Sequence, residues 1–280
     1  MTHFAVRYKA AGFLNAMIGM GMCCVLAASF PVDYAKASDL APRKVVYALT
    51  FLPNGKADGV KSGKGTITAE LTGSRCTAYR VIRTLDAAIN FSNGGIRLVS
   101  ESVINEKGDG TQLAFSITDR VNGEVKRQDT LIARRTPEGL VATSRQLPGG
   151  KLEMSKDVLL PMRFELMMDE AMRTGRPSFS IKVFNPEDTL TSIDQISFSV
   201  GKQVEAALPQ KHPAATAALG AMPRHQVEMT RKDKNGKFRV RERQTRFGNG
   251  VFTVSDTDFE NMKIKATLAS LKLLPRERCN

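Results

Sequence analysis

Two cysteines, three arginines and two aspartates are the side chains of this sequence whose types and spacing invite chemistry. Cys76 lies in Thr72-Gly73-Ser74-Arg75-Cys76-Thr77-Ala78-Tyr79, and Cys279 is the penultimate residue. Arg239, Arg241 and Arg243 close the densest basic run of the chain, which begins at Arg231. Alternate residues of a strand point the same way, so the three guanidiniums are expected on one face with Phe238 and Val240 on the other. Such a row suits phosphate or carboxylate groups, because each guanidinium offers a planar fork of donors. The plainer alternative is a set of solvated charges that keeps strands from pairing edge to edge. Asp256 and Asp258 flank Thr257, which puts two carboxylates on one side of a strand near a turn, where acidic caps are common.

Other catalytic signatures are missing from the sequence. It has no Gly-x-Ser-x-Gly elbow, His-Glu-x-x-His helix, aspartate-rich calcium loop or Cys-x-x-Cys. Gly63-Lys64-Gly65 lacks the Ser/Thr ending and the following helix of a phosphate loop, so these read as turn glycines. The expectation is a protein with no catalytic residues, no cofactor and no metal.

The meaning of the cysteines depends on the compartment. Arg7 and Lys9 precede an apolar run from Ala10 to Ala28, and Ala35-Lys36-Ala37 supplies a small-x-small site. This order is that of a signal peptide, residues 1–37, cut before Ser38. A membrane anchor is the alternative, since the run of roughly 19 residues approaches bilayer length. Cleavage removes Cys23 and Cys24 and leaves Cys76 and Cys279 in an oxidising space, where a disulfide is the default and two separate buried thiols the alternative. With His212 and His225 as the remaining histidines, no metal-ligand spacing is present.

The mature chain keeps 38 basic and 27 acidic residues, a net charge of +11. Outside the cytoplasm that balance excludes nucleic acid as the natural partner and points to acidic envelope components or acidic protein surfaces, or to diffuse charge with no partner. About 240 residues are enough for a large core.

The elements that must position these residues are strands. Val45, Tyr47, Leu49 and Phe51 alternate with Lys44, Val46, Ala48 and Thr50, and Ile67, Ala69 and Leu71 repeat the pattern. Asn93-Gly94, Asp109-Gly110, Asn122-Gly123, Asn235-Gly236 and Asn249-Gly250 mark hairpins, because type I′ turns need positive φ at both central residues. Antiparallel strands in a meander follow. From Pro161 the pattern changes to that of a short amphipathic helix over 161–174, opened by proline and stopped by Gly175, with its methionines in the core. Pro209, His212, Pro213 and Pro223 frame a looser alanine-rich segment.

Gly73-Ser74-Arg75-Cys76-Thr77-Ala78-Tyr79, the Leu159-Leu160-Pro161 helix opening, Phe247-Gly248-Asn249-Gly250-Val251 and the ending Leu268 to Pro275 before Cys279 resemble the EipB family of periplasmic cell-envelope integrity proteins. The resemblance covers about residues 40–280; one departure is Met222-Pro223 where a Trp-Pro is expected. It implies an all-β, mainly antiparallel β-spiral of strongly curved sheets. Two lobes, about 38–158 and 176–280, flank the helix, and a disulfide joins Cys76 to Cys279. It also implies a monomeric, noncatalytic periplasmic protein that maintains the envelope by binding or scaffolding a periplasmic protein or acidic envelope component, with the mature chain not spanning the membrane. The alternative is a carrier of a lipid or lipoprotein acyl chain.

Overall fold

Strands dominate because apolar residues alternate with polar ones over most of the chain, and the turns between them carry residues that tolerate positive φ. The computed structural model describes residues 40–55, 59–204, 219 and 222–277. The expected signal peptide over 1–37 and Cys279 lie outside the described residues.

In chain order the elements are β1 (Arg43–Leu52), β2 (Ser62–Gly73), β3 (Ala78–Phe91), β4 (Gly94–Lys107), β5 (Gln112–Val121), β6 (Glu124–Arg135), β7 (Leu140–Thr143), β8 (Lys151–Met154) and β9 (Val158–Leu159), then α1 (Pro161–Thr174). After the helix come β10 (Ser178–Phe184), β11 (Ile193–Gln203), β12 (Arg224–Lys232), β13 (Phe238–Phe247), β14 (Phe252–Phe259) and β15 (Lys263–Leu273). The expected hairpins form: Asn122-Gly123 turns with φ of 52° and 87° between β5 and β6, and Asn93-Gly94 joins β3 to β4. One reading changes. Gly63 and Gly65 are not turn glycines but lie within β2, where a Cβ on Gly65 would stand 2.6 Å from the Asp86 carbonyl and 2.7 Å from the Ala87 Cβ. The bare backbone lets β2 and β3 run this close together.

All the strands join one sheet, in the order β8-β7-β6-β5-β4-β3-β2-β1-β15-β14-β13-β12-β11-β10-β9. Consecutive strands are neighbours except at one place, and β1 pairs with β15 from Arg43↔Leu273 to Leu52↔Lys263. The pairing is antiparallel throughout except that β9 lies parallel to β10, with α1 as the crossover. The ladder runs unbroken from β8 to β9, so the strand pairing marks no boundary between the two expected lobes. The edge strands β8 and β9 are separated in sequence by Ser155, Lys156 and Asp157 alone. Fourteen gaps of about 4.8 Å would hold the edges of a flat sheet roughly 67 Å apart, whereas four extended residue steps reach about 14 Å. The sheet therefore curls back on itself into a nearly closed barrel.

The helix matches its expected bounds. Pro161 occupies the first turn, and Gly175 at φ 69° donates its backbone N–H to the Ala171 carbonyl, ending the helix in a left-handed cap. Its buried residues fall on two sides. Met162 and Leu166 pack into a cluster with Tyr79, Val81, Ile104, Leu113, Phe115 and Leu131 from β3 to β6, while Phe164, Met168, Ala171 and Met172 join Phe179, Ile196, Phe198, Val227 and Met229 from β10 to β12. The methionines are core, and α1 fills the space between the two arms of the sheet. A third cluster, built on Val45, Tyr47, Leu49, Phe51, Phe247 and Leu268, lies where β1 meets β15, with Tyr47 stacked on Phe252 at 4.0 Å. Met222, at the departure from Trp-Pro, packs partly buried against it.

Candidate functional site

The three arginines do not form the expected row. A bulge in the β12–β13 ladder between Arg231 and Lys232 sets Arg231 opposite Val240 and Lys232 opposite Phe238, so Arg239 is left out of the alternation. Its Nη1 lies 2.6 Å from Asp188 and 3.6 Å from the buried Asp194. Arg241 and Arg243 share Glu228 at 3.6 and 3.0 Å, and Arg243 also faces Asp258 at 3.7 Å. Each guanidinium thus has an internal carboxylate. Edge protection is not their role either, because β13 is paired on both sides. Asp258 is further paired with Lys263 at 3.7 Å, and Asp256 stands opposite Arg243 and Lys265 in the ladders. These aspartates are the acid half of a surface ion network.

The cysteine reading places one partner. Cys76 sits in the turn between β2 and β3, where Ser74 accepts from the Cys76 backbone N–H at 3.3 Å. The C-terminal tail comes to this turn: the Glu277 carboxylate accepts from Thr77 Oγ1 at 2.8 Å and from Ser74 Oγ at 3.4 Å. Cys279 follows Glu277 by two residues.

The charged groups that sequence reasoning missed line the inside. Glu106 on β4 is fully buried and caps the helix: its Oε2 accepts the Met162 N–H at 2.8 Å and its Oε1 the Arg163 N–H at 3.0 Å. Leu160, at the N-cap, has no side chain for the task. Burial pushes the Glu106 carboxyl up to about 8 against the pull of those two N–H donors and of Arg163. From the opposite arm, Arg246 on β13 reaches Glu165 on α1 at 2.5 Å. Burial alone would raise Glu165, but Arg246, Arg43 and Arg83 outweigh it and hold the carboxyl below its usual range. Tyr47 is pushed up to about 12 by burial.

A second strut crosses beside the helix. The turn between β10 and β11 enters the interior, where Arg127 of β6 donates to the carbonyls of Glu187 at 2.7 Å and Pro186 at 2.9 Å. Ser102 of β4 donates to Glu187 at 2.7 Å, Arg83 of β3 pairs with the same carboxylate, and Arg239 holds Asp188 from the far side. These polar residues replace apolar ones at inward positions, so they read in the sequence as breaks in alternation. Their chemistry is tethering: both oxygens of Glu106 are occupied, and the group has no exposure.

What remains open is on the outside. A groove of about 660 Å³ crosses β4 to β7 on the face turned away from α1, lined by Val103, Asn105, Ala114, Ser116, Thr130 and Ile132, with Arg145 in the loop that ends it. Among the described residues no cluster of His, Cys, Asp and Glu has the arrangement of a metal site, and no helix is long and apolar enough to cross a membrane.

The family model for EipB-like proteins matches residues 34–275. No curated protein matches the chain. Among solved structures, a beta-barrel-like protein of domain of unknown function DUF1849 from Brucella abortus superposes with a TM-score of 0.76 at 18% identity, covering 84% of this chain and 98% of that one. The likeness is one of fold.

Proposed function

The chain belongs to the EipB-like family, and from that premise we propose that it is a noncatalytic periplasmic protein that maintains the cell envelope by binding or scaffolding another component through its outer surface. Export would be accompanied by cleavage before Ser38, and the mature monomer would carry a Cys76–Cys279 disulfide. The tail contact of Glu277 with Thr77 supports that pairing by bringing the C-terminus to the Cys76 turn.

The observation that carries the binding reading is the filled interior. A carrier needs space inside its curved sheet for an acyl chain. Here that space is taken by α1, anchored by Glu106 from one arm and Arg246 from the other, and by the β10–β11 turn. Displacing α1 would expose its buried faces, each apolar side chain costing about 1.5–3 kcal/mol, and would take the two N–H partners from the carboxyl group of Glu106. An outer-face contact costs none of this. Anionic partners complement the net charge, through surfaces other than the paired Arg239, Arg241 and Arg243.

The test is complementation of a deletion strain under envelope stress, with mass spectrometry of organic extracts of the purified protein. Rescue by the lipid-free chain supports binding or scaffolding. Stoichiometric co-purified lipid would move the assignment to the carrier.

A further inference from the structure

We propose that the groove across β4–β7 is a docking site for an acidic peptide segment of a partner protein, seated with aliphatic side chains on Val103, Ala114 and Ile132 and a carboxylate on Arg145. The proposal rests on the binding reading above and names its site and ligand chemistry.

The groove is built by register. Asn105, Ala114, Ile132 and Thr143 stand opposite one another across β4 to β7, and Val103, Ser116 and Thr130 form the adjacent row. Both rows continue onto β3, where Arg80 stands opposite Asn105 and Ile82 opposite Val103. Inter-strand spacing makes this surface about 19 Å long from β3 to β7, the span of five or six extended residues. Ile82 and Ile132 are 36% and 38% exposed, and count among the exposed large apolar side chains of the described residues. Gln146 fixes the end loop by donating to the Gln128 carbonyl at 3.3 Å.

Charge selects the sign of the ligand. Arg145 lies in the groove, Arg80 at its β3 end, and Arg134 two residues along β6 from Ile132. None has a carboxylate partner among the described residues, in contrast to Arg239, Arg241 and Arg243. The acids bordering the same face are already engaged: Glu101 with Arg120, Glu153 with Lys151, and Glu70 with Lys44.

The pattern of the floor selects the class. Apolar and hydroxyl positions intermix, and the side-chain hydroxyls of Ser116 and Thr130 make no hydrogen bond among the described residues. A run of methylenes would cover those hydroxyls without satisfying them. A peptide offers both aliphatic side chains and backbone or side-chain partners at the same spacing. It cannot join the sheet as an added strand here, because β4, β5 and β6 are paired on both sides, so specificity comes from side chains.

The experiment selects dodecapeptides from a displayed random library on the folded mature chain, then measures the winners by fluorescence anisotropy against wild type, Arg145→Glu and Ile132→Asp. Both positions are exposed or loop-borne, and unchanged melting temperatures confirm folding. Enriched peptides that combine Asp or Glu with Leu, Ile or Val, and bind each variant at least tenfold more weakly, support the proposal. Peptides without acidic residues, or variants that bind as tightly as wild type, overturn it. So does saturable binding of phosphatidylglycerol vesicles that is lost in Arg145→Glu without any peptide binding. Because complementation is scored separately, a chain that rescues the strain but fails here keeps its envelope role and loses this site.

Discussion

Glu106 has no exposure, yet both of its oxygens are used, each on a backbone N–H of the first turn of α1. Glu106→Ala leaves those donors without a partner in the core and is expected to cost about 3 kcal/mol, read as a lower urea midpoint. Its pH dependence has a definite sign. Between about 4.5 and about 8 the folded chain holds a proton at Glu106 that the unfolded chain has released, so this group makes stability fall as pH rises through that window. Melting curves across the window should show the decline in wild type and a flatter profile in Glu106→Gln. Glu165 acts in the opposite sense. Its lowered carboxyl contributes stability above the ordinary carboxylate range and loses it as pH falls through the lowered value. Arg246→Ala strands this partly exposed carboxylate and is expected to cost about 2 kcal/mol, below the cost of breaking a fully buried pair. A double-mutant cycle with Glu165→Ala should return a coupling of about 1 kcal/mol or more, and a coupling near zero would remove the helix tether.

Among the elements, the glycines separate two kinds of constraint. Gly123 holds φ at 87° with nothing near its missing Cβ, so Gly123→Ala should cost about 1 kcal/mol through the backbone alone. Gly65 has an ordinary φ but a backbone carbonyl 2.6 Å from the site of a Cβ; Gly65→Val should cost more, about 2–3 kcal/mol, by forcing β2 off β3. Equal melting temperatures for the two variants would contradict that distinction. The same contrast explains what was legible beforehand. Turn glycines such as Gly94, Gly123, Gly236 and Gly250 follow Asn and announce themselves, and Pro161 with Gly175 delimits α1 to the residue. Strand glycines, the four-residue strands β7 and β8, and inward polar residues give no local signal. Glu106, Arg127 and Arg246 look like solvent-facing charges until α1 and the β10–β11 turn are placed against them. Arg239, in turn, needs a bulge that no residue type dictates. The groove was invisible for a related reason, since its rows are assembled from five strands and no one strand is unusual.

For the molecule as a whole, the proposed Cys76–Cys279 bond would close a loop of about 200 residues and add about 5 kcal/mol on the chain-entropy account. Reduction, or Cys279→Ser, is expected to lower the melting temperature and to free the tail for proteolysis, releasing the Glu277 contacts with Thr77 and Ser74. Equal stability of oxidised and reduced protein would exclude the bond. The ladder between β1 and β15 carries a different consequence, one of timing. A chain that emerges N-terminus first presents β1 at the outset, but the strand that covers its second edge is the last to be made. At about 5–20 residues per second, the roughly 220 residues between them keep that edge bare for about 10–45 s. Val45, Tyr47, Leu49 and Phe51 wait through this interval beside unpaired backbone groups, the combination that recruits strands from other chains. The order of the strands thus leaves the apolar strand β1 with one open edge until the last strand of the chain is in place.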